Sequence, residues 1–287
     1  MKLITLQQVQ TNIGILAQYV RGQSGSILSD RATYFDCLNQ IQKYKLLYHK
    51  ERQAPYLDFD LSNPHTHSVL ESLLRSREFE DEGSVDPVMR DDQDAIIDRL
   101  GSAQRLLRNY CPLAADLVKI LIAWLIFVRK DGYAGGSFWH ILGAVWMSPT
   151  KAWEIRDYAE NLLHETVHQA MFLDDMVHGL FSASPEDLAA DTALVTSSIR
   201  GAKRPYDYSF HAATVSVALI DFYEYLGMPD RAVQFCRPLL QTLAELETKR
   251  HLLSAHGIET LSRMIALVSD SPTFNEVSGN AIIPVSV

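Results

Sequence analysis

The sequence predicts a mostly helical α+β protein in which a small β-hairpin or sheet lies next to an HExxH metal-binding helix. Three observations lead there. Apolar residues recur at helical spacing through much of the 287-residue chain, two apolar stretches flank one glycine-rich turn, and His164-Glu165-Thr166-Val167-His168 falls inside a long helical segment.

The elements follow in order. Leu3, Leu6, Val9, Ile13, Leu16 and Val20 make the apolar stripe of a first helix. Ser29 or Asp30 caps a second, with Phe35, Leu38, Ile41 and Leu46 on one side. Gln53 to Ser68, with Pro55 and Pro64, reads as an irregular connection. His65 and His67 fall on it as surface residues, because no third metal ligand is near. A helical pattern runs from Ser68 to Arg77. The acidic run Glu78 to Asp94 reads as a solvated loop, since the ligand spacing and central glycine of a calcium loop are missing. Asp94 to Tyr110 is an amphipathic helix, and Pro112 marks a break.

Leu117 to Val128 and Phe138 to Ser148 are apolar runs separated by turn chemistry from Lys130 to Gly136. Periodicity does not separate strand from buried helix in such runs. The glycine turn favours a hairpin, with a helical start to the first run as the alternative. Ser148-Pro149-Thr150 then opens the motif helix. Ser182 to Glu186 caps a short helix reaching to about Ser197. Arg200 to Tyr206 is a basic loop, and His211 to Leu226 is a helix stopped by Gly227. Pro229 to Ala266 gives one or two further helices broken near His256-Gly257, and Phe274 to Val287 forms a tail or an added strand. Residues 1–115 are expected to be a helical region that covers the site or recognises substrate, and residues 116–287 the catalytic region; one compact domain is the alternative.

Composition narrows the function classes. With 47% hydrophobic and 21% charged residues the chain is an ordinary globular protein, and a net charge of −9 argues against non-specific nucleic-acid binding. Cys37, Cys111 and Cys236 are odd in number and far apart, so neither a disulfide framework nor a cysteine zinc knuckle is expected. The N-terminus lacks a signal-peptide pattern, and the longest apolar run, Ile120 to Val128, is too short to cross a bilayer. A cytoplasmic location is the expectation. Oligomeric state is not legible.

The chemistry centres on the motif. His164 and His168 lie one helical turn apart on one face and can clamp one metal ion, with Glu165 beside it as base or as an anchor for a ligand. A catalytic site needs a further protein ligand. His211, at the start of a later helix, is the first candidate; Glu186 and Asp191 are carboxylate rivals. Asp174 and Asp175 lie about 9 Å or more along the motif helix, too far to share the metal. Asp221 and His211 are nearly three turns apart, so they cannot both be ligands. Arg200 and Arg204 suit a bidentate grip on the carboxylate of an acidic co-substrate, with surface pairing as the alternative. Phe138, Trp139, Trp146 and Tyr206 are either pocket aromatics or core.

His164-Glu165-x-x-His168, an S-x-x-R-x-x-x-R-P segment (Ser197 or Ser198, Arg200, Arg204, Pro205), His211 and Asp221-Phe222-Tyr223 together resemble the HExxH-type 2-oxoglutarate-dependent peptide β-hydroxylases. The resemblance spans roughly Gly135 to Gly227, and Lys203 departs from it where an acidic or polar residue usually precedes the Arg-Pro. It implies Fe(II) held by His164, His168 and His211, with 2-oxoglutarate and dioxygen as co-substrates. Arg204, or else Arg200, would bind the distal carboxylate of the keto acid, and Glu165 would orient a ligand or water. The implied reaction hydroxylates an unactivated carbon of a peptide or carrier-bound amino-acid residue in natural-product biosynthesis. A histidine triad differs from the His-His-carboxylate set of most non-haem iron oxygenases. Two other readings stand beside it: a Zn(II)-dependent hydrolase with Glu165 as general base, and a non-enzymatic helical interaction protein that docks a partner through its acidic run.

Overall fold

The computed structural model describes residues 2–22, 29–74, 84–271 and 273, and among them ten α-helices and seven short strands. Parts of the expected segments Ser68 to Arg77 and Glu78 to Asp94, and the tail from Phe274, lie outside the described residues. Two compact units divide the chain: Leu6–Leu173, and Met1–Thr5 with Asp174–Val287. Residue 115 lies inside the first of these.

In the first unit come α1 (Leu6–Arg21), α2 (Arg31–Ile41), β1 (Tyr56–Asp58), α3 (Pro64–Leu74), β2 (Asp86–Pro87), α4 (Arg90–Tyr110) and α5 (Pro112–Leu121). Next are β3 (Trp124–Arg129), β4 (Gly135–Gly136), β5 (Ala144–Met147) and α6 (Ile155–His178), whose last residues, from Asp174, belong to the second unit. Asp30 caps α2 by accepting from the Thr33 amide at 2.8 Å, and Pro112 occupies the first turn of α5, where its missing N–H costs nothing.

The first apolar run is thus a helix followed by a strand. Trp124 to Val128 is buried on both faces, which suits a central strand with parallel neighbours. β3 pairs in parallel with β1 (Trp124 opposite Tyr56) and with β5 (Trp124 opposite Ala144), while β2 adds antiparallel at Val128 and Arg129.

The small sheet expected near the motif helix is present, but its pairing corrects the hairpin expectation. The two apolar runs lie side by side in parallel, and the antiparallel partner of β5 is β4, drawn from the glycine turn itself. Backbone geometry explains why glycine sits there. A Cβ at Gly135 would lie 2.6 Å from the Trp146 carbonyl oxygen, so only glycine allows the strands to approach. Gly143 enters β5 at φ +85°, and its carbonyl accepts from the amides of Ala123 and Trp124.

Other expectations are corrected locally. The connection from Gln53 to Ser68 contains β1 and the first turns of α3. His65 is on that helix, with Nε2 2.6 Å from the Lys45 carbonyl and its ring stacked on Trp124; His67 faces Glu71 at 3.6 Å. The motif helix begins at Ile155 rather than at Ser148-Pro149-Thr150. Asp157 accepts from the Glu154 amide at 2.7 Å and fixes the start there.

The second unit holds α7 (Pro185–Leu188), β6 (Val195–Thr196), β7 (Lys203–Arg204), α8 (Tyr206–Tyr225), α9 (Pro229–Thr248), a 3-10 turn (Arg250–Leu252) and α10 (Ala255–Ser269). The helix expected to reach Ser197 stops at Leu188, and the chain turns into the β6–β7 hairpin instead. The final break falls at the 3-10 turn, before His256, which lies inside α10. Tyr206 donates to the Leu246 carbonyl at 3.0 Å, joining α8 to α9. The N-terminus attaches here: the Lys2 amide donates to Asp221 at 2.9 Å and Arg263 donates to the Leu3 carbonyl at 2.8 Å. No described helix is long and apolar enough to cross a membrane.

Candidate functional site

Helical periodicity places His164 and His168 on one face of α6, and the structure brings their rings together. Nε2 of His168 lies 3.1 Å from Nε2 of His164, with ring centroids 4.8 Å apart. The His168 ring is stacked against Phe172, one turn further on, which limits its rotation. Both histidines are partly exposed, whereas Val167 and Thr166 between them are buried. One side of the helix therefore joins the core while the other presents imidazole.

Glu165 points into the protein. Its Oε2 accepts a hydrogen bond from Ser137 Oγ at 2.7 Å, and its Oε1 stands 3.9 Å from His164 Nε2. Ser137 directly follows β4, so the edge of the sheet supplies the group that orients the glutamate. One position past the motif, Gln169 is fully buried and its Oε1 accepts from the Gly143 amide at 2.6 Å. Gln42 holds the adjacent residue, Leu142, through both its amide N–H and its carbonyl. The sheet is thus fastened to the motif helix by Ser137–Glu165 and Gly143–Gln169. Neither bond leaves a spacing signal, since the partners are far apart in sequence. The only hint of Ser137 is its place after two glycines.

The third-ligand candidate and the two arginines named from the sequence lie in the second unit. His211 is in α8, buried to 7% exposure, with its ring stacked 6.5 Å from Phe181. Burial lowers its pKa to about 4, so the imidazole is neutral near pH 7. A neutral imidazole is the form that ligates metals. Arg204 closes the hairpin as part of β7, half-buried, with its guanidinium 5.3 Å from the Tyr208 ring centroid. Arg200 is exposed in the turn, its amide donating to Ser197 Oγ at 3.3 Å.

Glu245 of α9 secures this hairpin. It accepts from the Thr196 amide at 2.8 Å, the Thr196 hydroxyl at 2.9 Å and Lys203 at 2.6 Å. Burial raises its pKa, but these bonds and one from Gln241 outweigh that and bring it to about 2. Lys203, the departure from the resembled pattern, therefore has a local role in holding the hairpin.

The carboxylates considered as rivals have other surroundings. Glu186 and Asp191 are exposed. Asp174 lies 2.7 Å from His256 Nε2, a pairing the sequence did not suggest, and Asp175 accepts from the Leu180 amide at 2.6 Å. Asp221 accepts from the Lys2 amide. Of the aromatics, Phe138, Trp146 and Tyr206 are core, while Trp139 is 67% exposed. Among the described residues, no group of three or more His, Cys, Asp or Glu side chains is placed so that it could hold a metal ion. No family model and no curated protein matches the chain.

Proposed function

We propose that the protein is an Fe(II)- and 2-oxoglutarate-dependent oxygenase. Its reaction is hydroxylation of an unactivated carbon, the β-carbon of an amino-acid residue in a peptide or carrier-bound substrate. The observation that carries this reading is the 3.1 Å approach of the His164 and His168 Nε2 atoms. Two imidazole nitrogens brought together on one helix face would hold one metal ion between them. The resemblance implies His211 as the further ligand, and the bound metal would take the keto acid and dioxygen.

Bound iron supplies the oxidising chemistry, with 2-oxoglutarate as the two-electron reductant of dioxygen. The chain's own residues do the rest. Ser137 fixes one oxygen of Glu165, leaving the other turned toward His164, where it can hold a proton or a water. Neutral His211 requires no proton loss before it ligates. Arg204, set at the base of a hairpin that Glu245 braces, offers a guanidinium fork for the distal carboxylate of the keto acid. Arg200 in the turn is the second choice.

The test is visible absorption of the anaerobic Fe(II)-loaded protein during addition of 2-oxoglutarate. A new charge-transfer band, absent in His164→Ala and His211→Ala and weakened in Arg204→Ala, is the expected result. No band, together with one tightly held zinc per chain, would favour the zinc-hydrolase reading over the oxygenase. No metal of either kind would leave the interaction protein.

A further inference from the structure

The second unit holds an aromatic group built around His211. The ring centroid of Phe181 lies 5.6 Å from that of Phe210 and 6.4 Å from that of Tyr206, both close to edge-on, and 6.5 Å from that of His211, which is nearly parallel to it. Aromatic rings favour such offset and edge-to-face placements. Tyr206, Phe210 and His211 are buried on the first turns of α8, whereas Phe181 is partly exposed. Phe181 therefore forms the outer cover of the group.

Phe181 lies outside every helix and is held by backbone contacts where the end of α6 meets the start of α10. It pairs antiparallel with Leu253 in an isolated bridge. On either side of it, the Leu180 carbonyl accepts from the Ser254 amide and the Ser182 amide donates to the Leu252 carbonyl, both at 3.0 Å. Ser254 Oγ donates to the Gly179 carbonyl at 2.6 Å. Glycine permits this approach, since a Cβ at Gly257 would lie 2.1 Å from the Leu180 carbonyl oxygen.

Side chains of α6 close the same junction. Asp175 accepts from the Leu180 amide at 2.6 Å and so fixes the residue just before Phe181. Asp174, 3% exposed, lies 2.7 Å from Nε2 of His256 in the first turn of α10. The ring of His178, one turn past Asp174, stands 4.7 Å from the His256 ring. A buried carboxylate needs a partner of this kind, and the start of a helix favours its negative charge.

We infer that Phe181 is a positioning residue for His211, and that the Asp174–His256 pair acts on His211 through it. The pair holds α6 to α10, their junction fixes the path of residues 179–182, and that path sets the Phe181 ring against the His211 imidazole. An imidazole whose rotation is already restricted loses less freedom when it takes up a metal. The inference rests on the proposed role of His211 as a metal ligand.

The experiment is a double-mutant cycle on the full chain with two readouts. One is the NMR signals of the His211 ring protons in metal-free protein, assigned by their loss in His211→Gln. The other is Co(II) affinity by chelator competition. Phe181→Leu keeps an apolar residue at a partly exposed position, and Asp174→Ala leaves only the partly exposed His256 without its carboxylate. Asp174→Ala is expected to move the His211 signals and to weaken Co(II) binding by about tenfold, as when an outer partner of a metal site is lost. Phe181→Leu is expected to weaken it equally, and Asp174→Ala to add nothing once Phe181 is leucine. His256→Gln, which keeps a donor for Asp174, should behave as the parent. Unmoved His211 signals in Asp174→Ala, or the same movement with and without Phe181, overturn the inference. So does parent Co(II) affinity in Phe181→Leu when His211→Gln lowers it, and that result leaves the metal reading intact. His211 signals that respond as expected, with Co(II) affinity unchanged in His211→Gln, support the positioning and remove His211 from the metal.

Discussion

Ser137 donates its hydroxyl to Glu165 at 2.7 Å, with both side chains buried. A residue from the end of a glycine strand thereby sets the orientation of the central glutamate of the motif. Removing a donor from a buried carboxylate costs about 1–3 kcal/mol, because its lost partner is not replaced by water. Ser137→Ala is therefore expected to lower stability by that order in urea unfolding. Fe(II) affinity is expected to fall by about tenfold to a hundredfold, as when an outer partner of a metal site is lost. An unchanged metal affinity would show that Glu165 does not depend on Ser137 for its role.

Metal binding should stabilise the fold through the histidine pair. A ligand at about 100 times its dissociation constant adds roughly 2.7 kcal/mol when it binds only the native state. Thermal melts with and without Fe(II) or Co(II) under argon should show a rise in Tm that His164→Ala and His168→Ala abolish. Chelator treatment should reverse the rise in the parent protein. A rise of the same size in both variants would place the metal elsewhere.

The hairpin bearing Arg200 and Arg204 should be acid-sensitive through Glu245. Its folded pKa is depressed to about 2, so its contribution is present above the unfolded value of 4.5 and is lost as pH falls toward 2. Glu245→Gln should lower stability most at neutral pH, and the gap to the parent should shrink as the pH drops below 4.5. If Arg204 binds the keto acid, the same variant should raise the KM for 2-oxoglutarate more than it lowers kcat. A gap constant from pH 7 to pH 3 would count against ionised Glu245 as the brace.

Gly143 is expected to be harder to replace than Gly132, the other positive-φ glycine near the sheet. At φ +85°, a side chain is strained, and an added Cβ would meet Leu46 Cδ1 at 2.7 Å and Phe35 Cε1 at 3.4 Å. Positive φ alone costs on the order of 1–3 kcal/mol in a non-glycine residue. Gly143→Ala should exceed the effect of Gly132→Ala, where φ is +77° but nothing lies within 4 Å. Parallel chemical denaturation of the two variants measures the difference.

The sequence by itself determined the helical class and most helix positions, because amphipathic stripes and caps are local properties. The stripe of α1 and the Asp30 cap are both readable from neighbours a few residues apart. It also determined that His164 and His168 share a face, since helical geometry fixes that relation once the helix exists. Strand direction was not determined locally. β3 and β5 carry the same apolar character whether they pair parallel or antiparallel, and only the path through Gly135 and Gly143 decided between them. The tertiary structure alone supplied Ser137 for Glu165, Gln169 for the Gly143 amide and Glu245 for the arginine hairpin. Each of these joins residues distant in sequence. No periodicity records such a contact, because it exists only when separate elements pack.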